Sequence, residues 1–120
     1  MSEEKTSSTG LESNIGGLLS YVLGWITGLI FFLIEEKDEF VRFHAMQSII
    51  FFGAITAFAI VLGFLQWIPG PVGVLFTVLT SLVGLFAFVM WIVLMVKAYQ
   101  GERFKLPVAG EQAEKYSTKR

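Results

Sequence analysis

Cysteine is absent from this chain and histidine occurs once. The first absence removes disulfides, thiol nucleophiles and thiolate metal ligands together. The second leaves a single imidazole, a poor basis for a zinc site. Charge is scarce as well. Asp, Glu, Lys and Arg make up 16% of the chain, against about 25% in soluble domains. There is no glycine-rich phosphate loop, no Ser-His-Asp set and no basic–aromatic array of the kind that binds nucleic acid. No carboxylate pair lies inside an apolar segment. These absences argue against an enzyme, imply no cofactor or metal, and identify no nucleic-acid partner and no small-molecule substrate.

What is present is apolar. Hydrophobic residues make up 54% and the mean hydropathy is +0.67. Ser13 to Ile34 is a run of 22 residues without charge, and Ala45 to Val96 is one of 52. About 20 helical residues cross a hydrocarbon core roughly 30 Å thick. The first run therefore fits one crossing and the second fits two. Trp67-Ile68-Pro69-Gly70-Pro71 divides the second run, because proline breaks a helix and biases the residue before it away from helical backbone. A cleaved leader is a poor reading of the first run, since Glu3, Glu4 and Glu12 make its flank acidic.

The expectation is an all-α integral membrane protein, a three-helix transmembrane bundle with helices at about 14–34, 39–67 and 72–99. A disordered N-terminal tail covers 1–13, the membrane domain 14–100 and a cytoplasmic tail 101–120. Three crossings put the N-terminus on the side of the Pro-Gly-Pro loop, with Lys5 as that side's one basic residue. Lys37, Arg42, Lys97, Arg103, Lys105, Lys115, Lys119 and Arg120 fall on the other. Eight against one predicts a multi-pass protein of the cell membrane with its N-terminus outside and its C-terminus cytoplasmic.

Lipid does not drive apolar helices together, so small residues that admit close approach mark packing faces. Gly17, Ser20, Gly24 and Gly28 share a face of the first helix. Gly53 and Gly63 mark the second and Gly84 the third. Gly24 and Gly28 form a GxxxG pair, read either as a dimerisation face or as a groove for another helix of the same chain. The expected partners are the lipid bilayer and other membrane proteins or further copies of the chain.

Side chains able to act specifically gather at one rim: Glu35, Glu36, Arg42, His44, Gln47, Ser48, Arg103 and Lys105. His44, Gln47 and Ser48 fall on one helical face. His44 is read as a structural group bonded to the turn or the C-terminal tail, with metal ligation beside acids of the turn as the alternative. Glu35 and Glu36 are read as a solvated turn or as a docking point for Arg103 and Lys105. With no ionisable group at depth, a proton or ion pathway has nothing to run on.

Three phrases carry a family resemblance: Leu19-Ser20-Tyr21-Val22-Leu23-Gly24-Trp25-Ile26-Thr27-Gly28, Phe40-Val41-Arg42-Phe43-His44-Ala45-Met46-Gln47-Ser48, and Lys97-Ala98-Tyr99-Gln100-Gly101-Glu102-Arg103-Phe104-Lys105-Leu106-Pro107. Over residues 15–115 the chain resembles small prokaryotic membrane proteins of unknown function, similar to the twenty-kilodalton inner-envelope subunit of the chloroplast protein-import translocon. That resemblance implies a non-enzymatic component assisting protein translocation or insertion. The plastid protein has four transmembrane helices and this chain has room for three, unless the start of the second helix lies separately in the interface. The alternatives are a scaffold or regulatory subunit of another membrane complex and a homo-oligomeric channel.

Overall fold

The computed structural model describes residues 8–117, and every element is helical. The helices are α1 (Ser13–Val22), α2 (Trp25–Ile34), α3 (Glu39–Leu65), α4 (Pro71–Tyr99) and α5 (Ala109–Ser117). Both α3 and α4 are long and apolar enough to cross a membrane. At 27 and 29 residues they extend roughly 40 Å.

Pro71 at the first turn of α4 and the residues before it make the turn between them, as the Pro-Gly-Pro segment predicts. The tightness of this turn depends on Gly73. A Cβ there would lie 1.9 Å from the Ile68 carbonyl oxygen.

The first apolar run departs from expectation. It is not one helix over 14–34. The chain breaks at Leu23-Gly24, where Gly24 adopts φ +64° and ψ −135°, and it then doubles back. Gly17 sits against His44 and Ala98, and Gly24 against Phe52. Gly28 then sits against Ala45 and Ser48, and the Phe32 and Glu35 carbonyls meet Arg42. So α1 descends alongside α3 and α2 climbs back up it.

Each arm is 10 residues, or about 15 Å. This is half the depth of a bilayer core of roughly 30 Å. The run has the length of a crossing but is spent on a helical hairpin. The physical reason is local. Gly24 supplies the left-handed backbone of the turn. Thr27 satisfies its amides and carbonyls, accepting from Leu23 N at 3.0 Å and donating to the Ser20 carbonyl at 3.3 Å.

The doubling back also corrects the predicted placement of the ends. The Ser13 hydroxyl donates to Asp38, and Asn14 Nδ2 donates to the Tyr99 carbonyl at 3.1 Å. The start of α1 therefore lies at the end of the molecule where α4 finishes, not beside the Pro-Gly-Pro turn. The disorder expected over 1–13 lies partly outside the described residues, at 1–7. Over 8–12 the chain is held, since Ser8 N and Thr9 N donate to Glu35 at 2.8 and 3.4 Å.

The interior follows from this layout. Tyr21, Phe52, Leu94, Ala98, Leu106 and Ala109 form the core, beside the hairpin. Beyond Phe52, α3 and α4 run on without a third layer, and Phe58, Phe64, Leu75, Leu82 and Phe86 are exposed. A bare pair of apolar helices is what lipid covers and water does not. Gly53, Gly63 and Gly84 lie on these outer surfaces. A Cβ at any of them would meet nothing within 4 Å, so the packing role expected for them is not made within this chain.

Candidate functional site: a polar rim that holds helix ends

The polar residues gather where α1 begins, α2 ends, α3 begins and α4 ends. A helix leaves unpaired N–H groups at its start and unpaired carbonyls at its end. Most of the chemistry here answers that demand. Asp38 caps α3, accepting from Phe40 N at 3.0 Å and Val41 N at 3.4 Å.

Arg42 is 3% exposed and caps two helices. Its Nη1 donates to the Phe32 and Glu35 carbonyls at the end of α2, at 2.9 and 2.7 Å. Its Nε donates to the Ser117 carbonyl at the end of α5, at 3.3 Å. A cation at a helix C-terminus also meets the negative end of the dipole. The guanidinium covers the Phe32 ring, 4.1 Å from its centroid.

Glu35 has no exposed surface and accepts from four main-chain amides: Ser8, Thr9, Lys37 and Asp38. Burial alone pushes its carboxyl pKa up. The four N–H donors outweigh burial and hold it below the ordinary carboxylate value. Glu36 stays exposed. Arg103 and Lys105 do not reach the acidic turn as the docking reading expects. They pair with Glu114 of α5 instead, and Lys105 holds the Glu114 carboxyl pKa low.

His44, Gln47, Ser48 and Tyr21 are fully buried, and each polar atom is satisfied within the set or by main chain. His44 Nε2 lies 2.9 Å from the Glu102 carbonyl, which only accepts. This fixes the proton on Nε2 and leaves Nδ1 as the acceptor. Tyr21 Oη therefore donates to Nδ1 at 2.6 Å and accepts from Gln47 Nε2 at 2.9 Å. Gln47 spends its second N–H on the Phe104 carbonyl at 2.9 Å and its oxygen on Leu106 N at 2.8 Å. Ser48 Oγ donates to the Gly24 carbonyl at the hairpin tip, at 2.8 Å.

The GxxxG glycines face inward. A Cβ on Gly28 would lie 2.8 Å from the Ala45 oxygen and one on Gly24 would lie 3.5 Å from the Phe52 Cβ. Gly17 of α1 also faces inward, since a Cβ there would lie 2.9 Å from the Phe40 ring. Ser20 is buried and bonds back to the Gly16 carbonyl.

Tyr21, Ser117 and Trp91 escaped the sequence reading of the site, and Asp38, read there as one of the turn's acids, is a helix cap. Tyr21 and Trp91 sit in apolar runs, where an aromatic reads as core. The one available signal was that a buried phenol or indole needs a partner. Trp91 Nε1 finds the Tyr21 carbonyl at 2.7 Å. At the hairpin tip a shallow lateral groove opens between Trp25, Phe52, Thr56, Phe88 and Trp91. Among the described residues, no three His, Asp or Glu side chains converge as a metal site would require.

Comparison with known proteins gives a family and no further structure. A UPF0132 membrane protein of Methanocaldococcus jannaschii is 50% identical over 92% of this chain and 94% of its own length. A UPF0132 membrane protein of Archaeoglobus fulgidus is 48% identical over 87% of this chain and 94% of its own. A second from M. jannaschii is 44% identical over 89% of this chain and 71% of its own. No solved structure matches. Residues 3–112 match the family described as the magnetosome magnetite crystal formation protein family, and the chain belongs to that family of membrane proteins.

Proposed function

We propose that the protein is a non-enzymatic, multi-pass membrane subunit that acts by binding other polypeptides within and at the surface of the bilayer. In this reading α3 and α4 cross the membrane, and the α1–α2 hairpin enters from the rim side and returns to it. One observation carries the proposal. Every buried side-chain polar atom among the described residues already has a partner, and those partners are largely the chain's own backbone. The rim is thus spent on architecture. The unspent surfaces are the outer faces of α3 and α4.

All six described Lys and Arg residues lie at or beside the rim, and none lies in the far turn over 66–70. That asymmetry favours a cytoplasmic rim, with both chain ends on that side. The test is crosslinking in native membranes from photoreactive residues at Phe58, Leu75 and Leu82. Recovery of defined protein partners or of further copies supports the reading. Crosslinks to lipid alone at all three positions refute it.

Assistance to protein translocation or insertion, implied by the translocon resemblance, is the second reading. It is favoured by the lateral groove, which lies about 15 Å below the rim by helix rise and is open on its side. Crosslinks from Phe88 to nascent chains support it, and their absence during active membrane insertion counts against it. Magnetite crystal formation is named in the family's description. Among the described residues, no three His, Asp or Glu side chains of the rim converge to hold the metal ions of such a mineral.

A further inference from the structure

The chain is spread unevenly along its two long helices. At the level of His44 to Ser48, a cut across the molecule meets five stretches of chain. Gly17 lies against His44 and Ala98, and Gly28 against Ala45 and Ser48. The Phe104 carbonyl and the Leu106 amide meet Gln47. So α1, α2, the end of α4 and residues 104–106 all surround α3 there. The hairpin tip at Gly24 sits against Phe52, the middle residue of α3. Past that level only α3 and α4 continue. Between there and the Pro-Gly-Pro turn, α3 buries Leu62 alone and α4 buries Gly73 alone.

The two halves therefore differ greatly in cross-section. A helix about 10 Å across takes roughly 80 Å² of the membrane plane. The rim half carries two such helices more than the far half, and residues 104–106 and α5 add to the same side. The broad half is also stiff. Ser48 Oγ holds the Gly24 carbonyl at 2.8 Å, and Trp91 Nε1 holds the Tyr21 carbonyl at 2.7 Å. Gly28 brings α2 against the backbone of α3 at Ala45. The hairpin cannot swing down to fill the far half without breaking these contacts, and close-packed interiors resist deformation.

We infer that the protein is a wedge in the bilayer, favouring curved membrane in which the rim-side leaflet lies on the convex face. Area added to one leaflet alone makes that leaflet the larger, and bending relieves the mismatch. Segments confined to one leaflet are sensitive to curvature for this reason. This goes beyond polypeptide binding, and it rests on the reading that α3 and α4 cross while the hairpin enters from the rim. The ligand is the lipid surface, recognised by its shape. With the rim cytoplasmic, the favoured membrane bulges into the cytoplasm.

The test reconstitutes the full-length protein into giant vesicles of phosphatidylcholine and phosphatidylglycerol and pulls a thin membrane tube from each. Single cysteines at Glu111 and Trp67, both exposed, mark the rim and the far turn. An impermeant thiol dye added outside labels rim-outward molecules through Glu111→Cys and rim-inward molecules through Trp67→Cys. Dye density on the tube, relative to the vesicle and normalised to a lipid dye, is read as the tube narrows. Glu111→Cys is expected to be enriched at least about twofold in the thinnest tubes, a bias of only ~0.4 kcal/mol. Trp67→Cys is expected to be depleted. Misfolding does not produce opposite signs for the two orientations. Equal densities on tube and vesicle for both labels, or the reverse order, overturn the inference and leave the crossings intact. Complete labelling of both variants from outside would place rim and far turn on one face, and would overturn the crossings and the wedge together. The crosslinks from Phe58, Leu75 and Leu82 judge polypeptide binding separately.

Discussion

Tyr21 Oη lies 2.6 Å from His44 Nδ1, and this contact joins the hairpin to the start of α3 in a single protonation pattern. Because His44 Nε2 must donate to the Glu102 carbonyl, the tyrosine must donate to the imidazole. The same tyrosine oxygen then serves Gln47. Tyr21→Phe keeps the ring and removes both bonds. It leaves His44 Nδ1 and one Gln47 N–H buried without partners, which costs on the order of 1–3 kcal/mol. Thermal unfolding in detergent should show that loss, and a melting temperature matching wild type would mean that neither bond contributes to stability.

The two long helices were legible in the sequence and the hairpin was not. An uncharged run as long as Ala45–Val96, broken only at Trp67–Pro71, leaves few arrangements other than two spans joined by a turn. The run Ser13–Ile34 has one crossing's length and apolarity, and those properties do not separate a straight helix from two halves. What separates them is the backbone of Gly24 and the hydroxyl of Thr27, and each is common in transmembrane helices that do not turn. The rim residues were legible by type, as polar groups bordering apolar runs. Their partners were not, because they are mostly main-chain atoms of residues 102–117 and 32–35, which sequence pattern does not place.

Glu35 gives the fold a pH dependence of definite sign. Its carboxyl pKa is held below the ordinary value in the folded chain. The stability it contributes is therefore fully present above the unfolded value, about 4.3. It is lost as pH falls through the depressed folded value. Melting temperature measured in nanodiscs should fall across that acidic window. Glu35→Gln should be less stable than wild type at neutral pH and should show a flatter acidic decline. A variant that follows the wild-type curve would place the sensitivity on another group.

The glycines divide into two classes that substitution can tell apart. Gly28→Ala drives a methyl to 2.8 Å from the Ala45 carbonyl oxygen, a backbone atom that cannot swing aside. The cost of such overpacking is about 1–3 kcal/mol. Gly84→Ala adds a methyl to open space and should gain up to about 1 kcal/mol from helix propensity. Equal effects in detergent melts would contradict the hairpin packing. A Gly84→Ala defect seen in membranes and not in detergent would locate a partner helix on that face.

Val108 is a β-branched residue at φ 67° and 72% exposed, so it gains little packing to offset a strained backbone. Left-handed backbone at a non-glycine residue costs of order 1–3 kcal/mol. Val108→Gly removes that strain and adds about 0.5–1 kcal/mol of chain entropy cost. The net should tighten residues 104–106 on Gln47 of α3, read as slower amide exchange at Leu106. Faster exchange would mean that the valine side chain has a partner beyond this chain.

The arrangement of the ends gives the most direct test of the fold. A straight first helix separates Ser13 from the end of α4 by a membrane, whereas the hairpin puts Ser13 beside Asp38 and Asn14 beside Tyr99 at the rim. The chain has no native cysteine, so single cysteines placed at Ser8, Gly70 and Glu111 report on one site each. A membrane-impermeant thiol reagent applied to intact cells should label Gly70→Cys and leave Ser8→Cys and Glu111→Cys unmodified until the membrane is permeabilised. Labelling of Ser8→Cys together with Gly70→Cys would restore the straight helix. Labelling of Ser8→Cys and Glu111→Cys without Gly70→Cys would keep the hairpin and invert the orientation. The hairpin seen in the structure and the orientation proposed for it are thus tested separately by one set of variants.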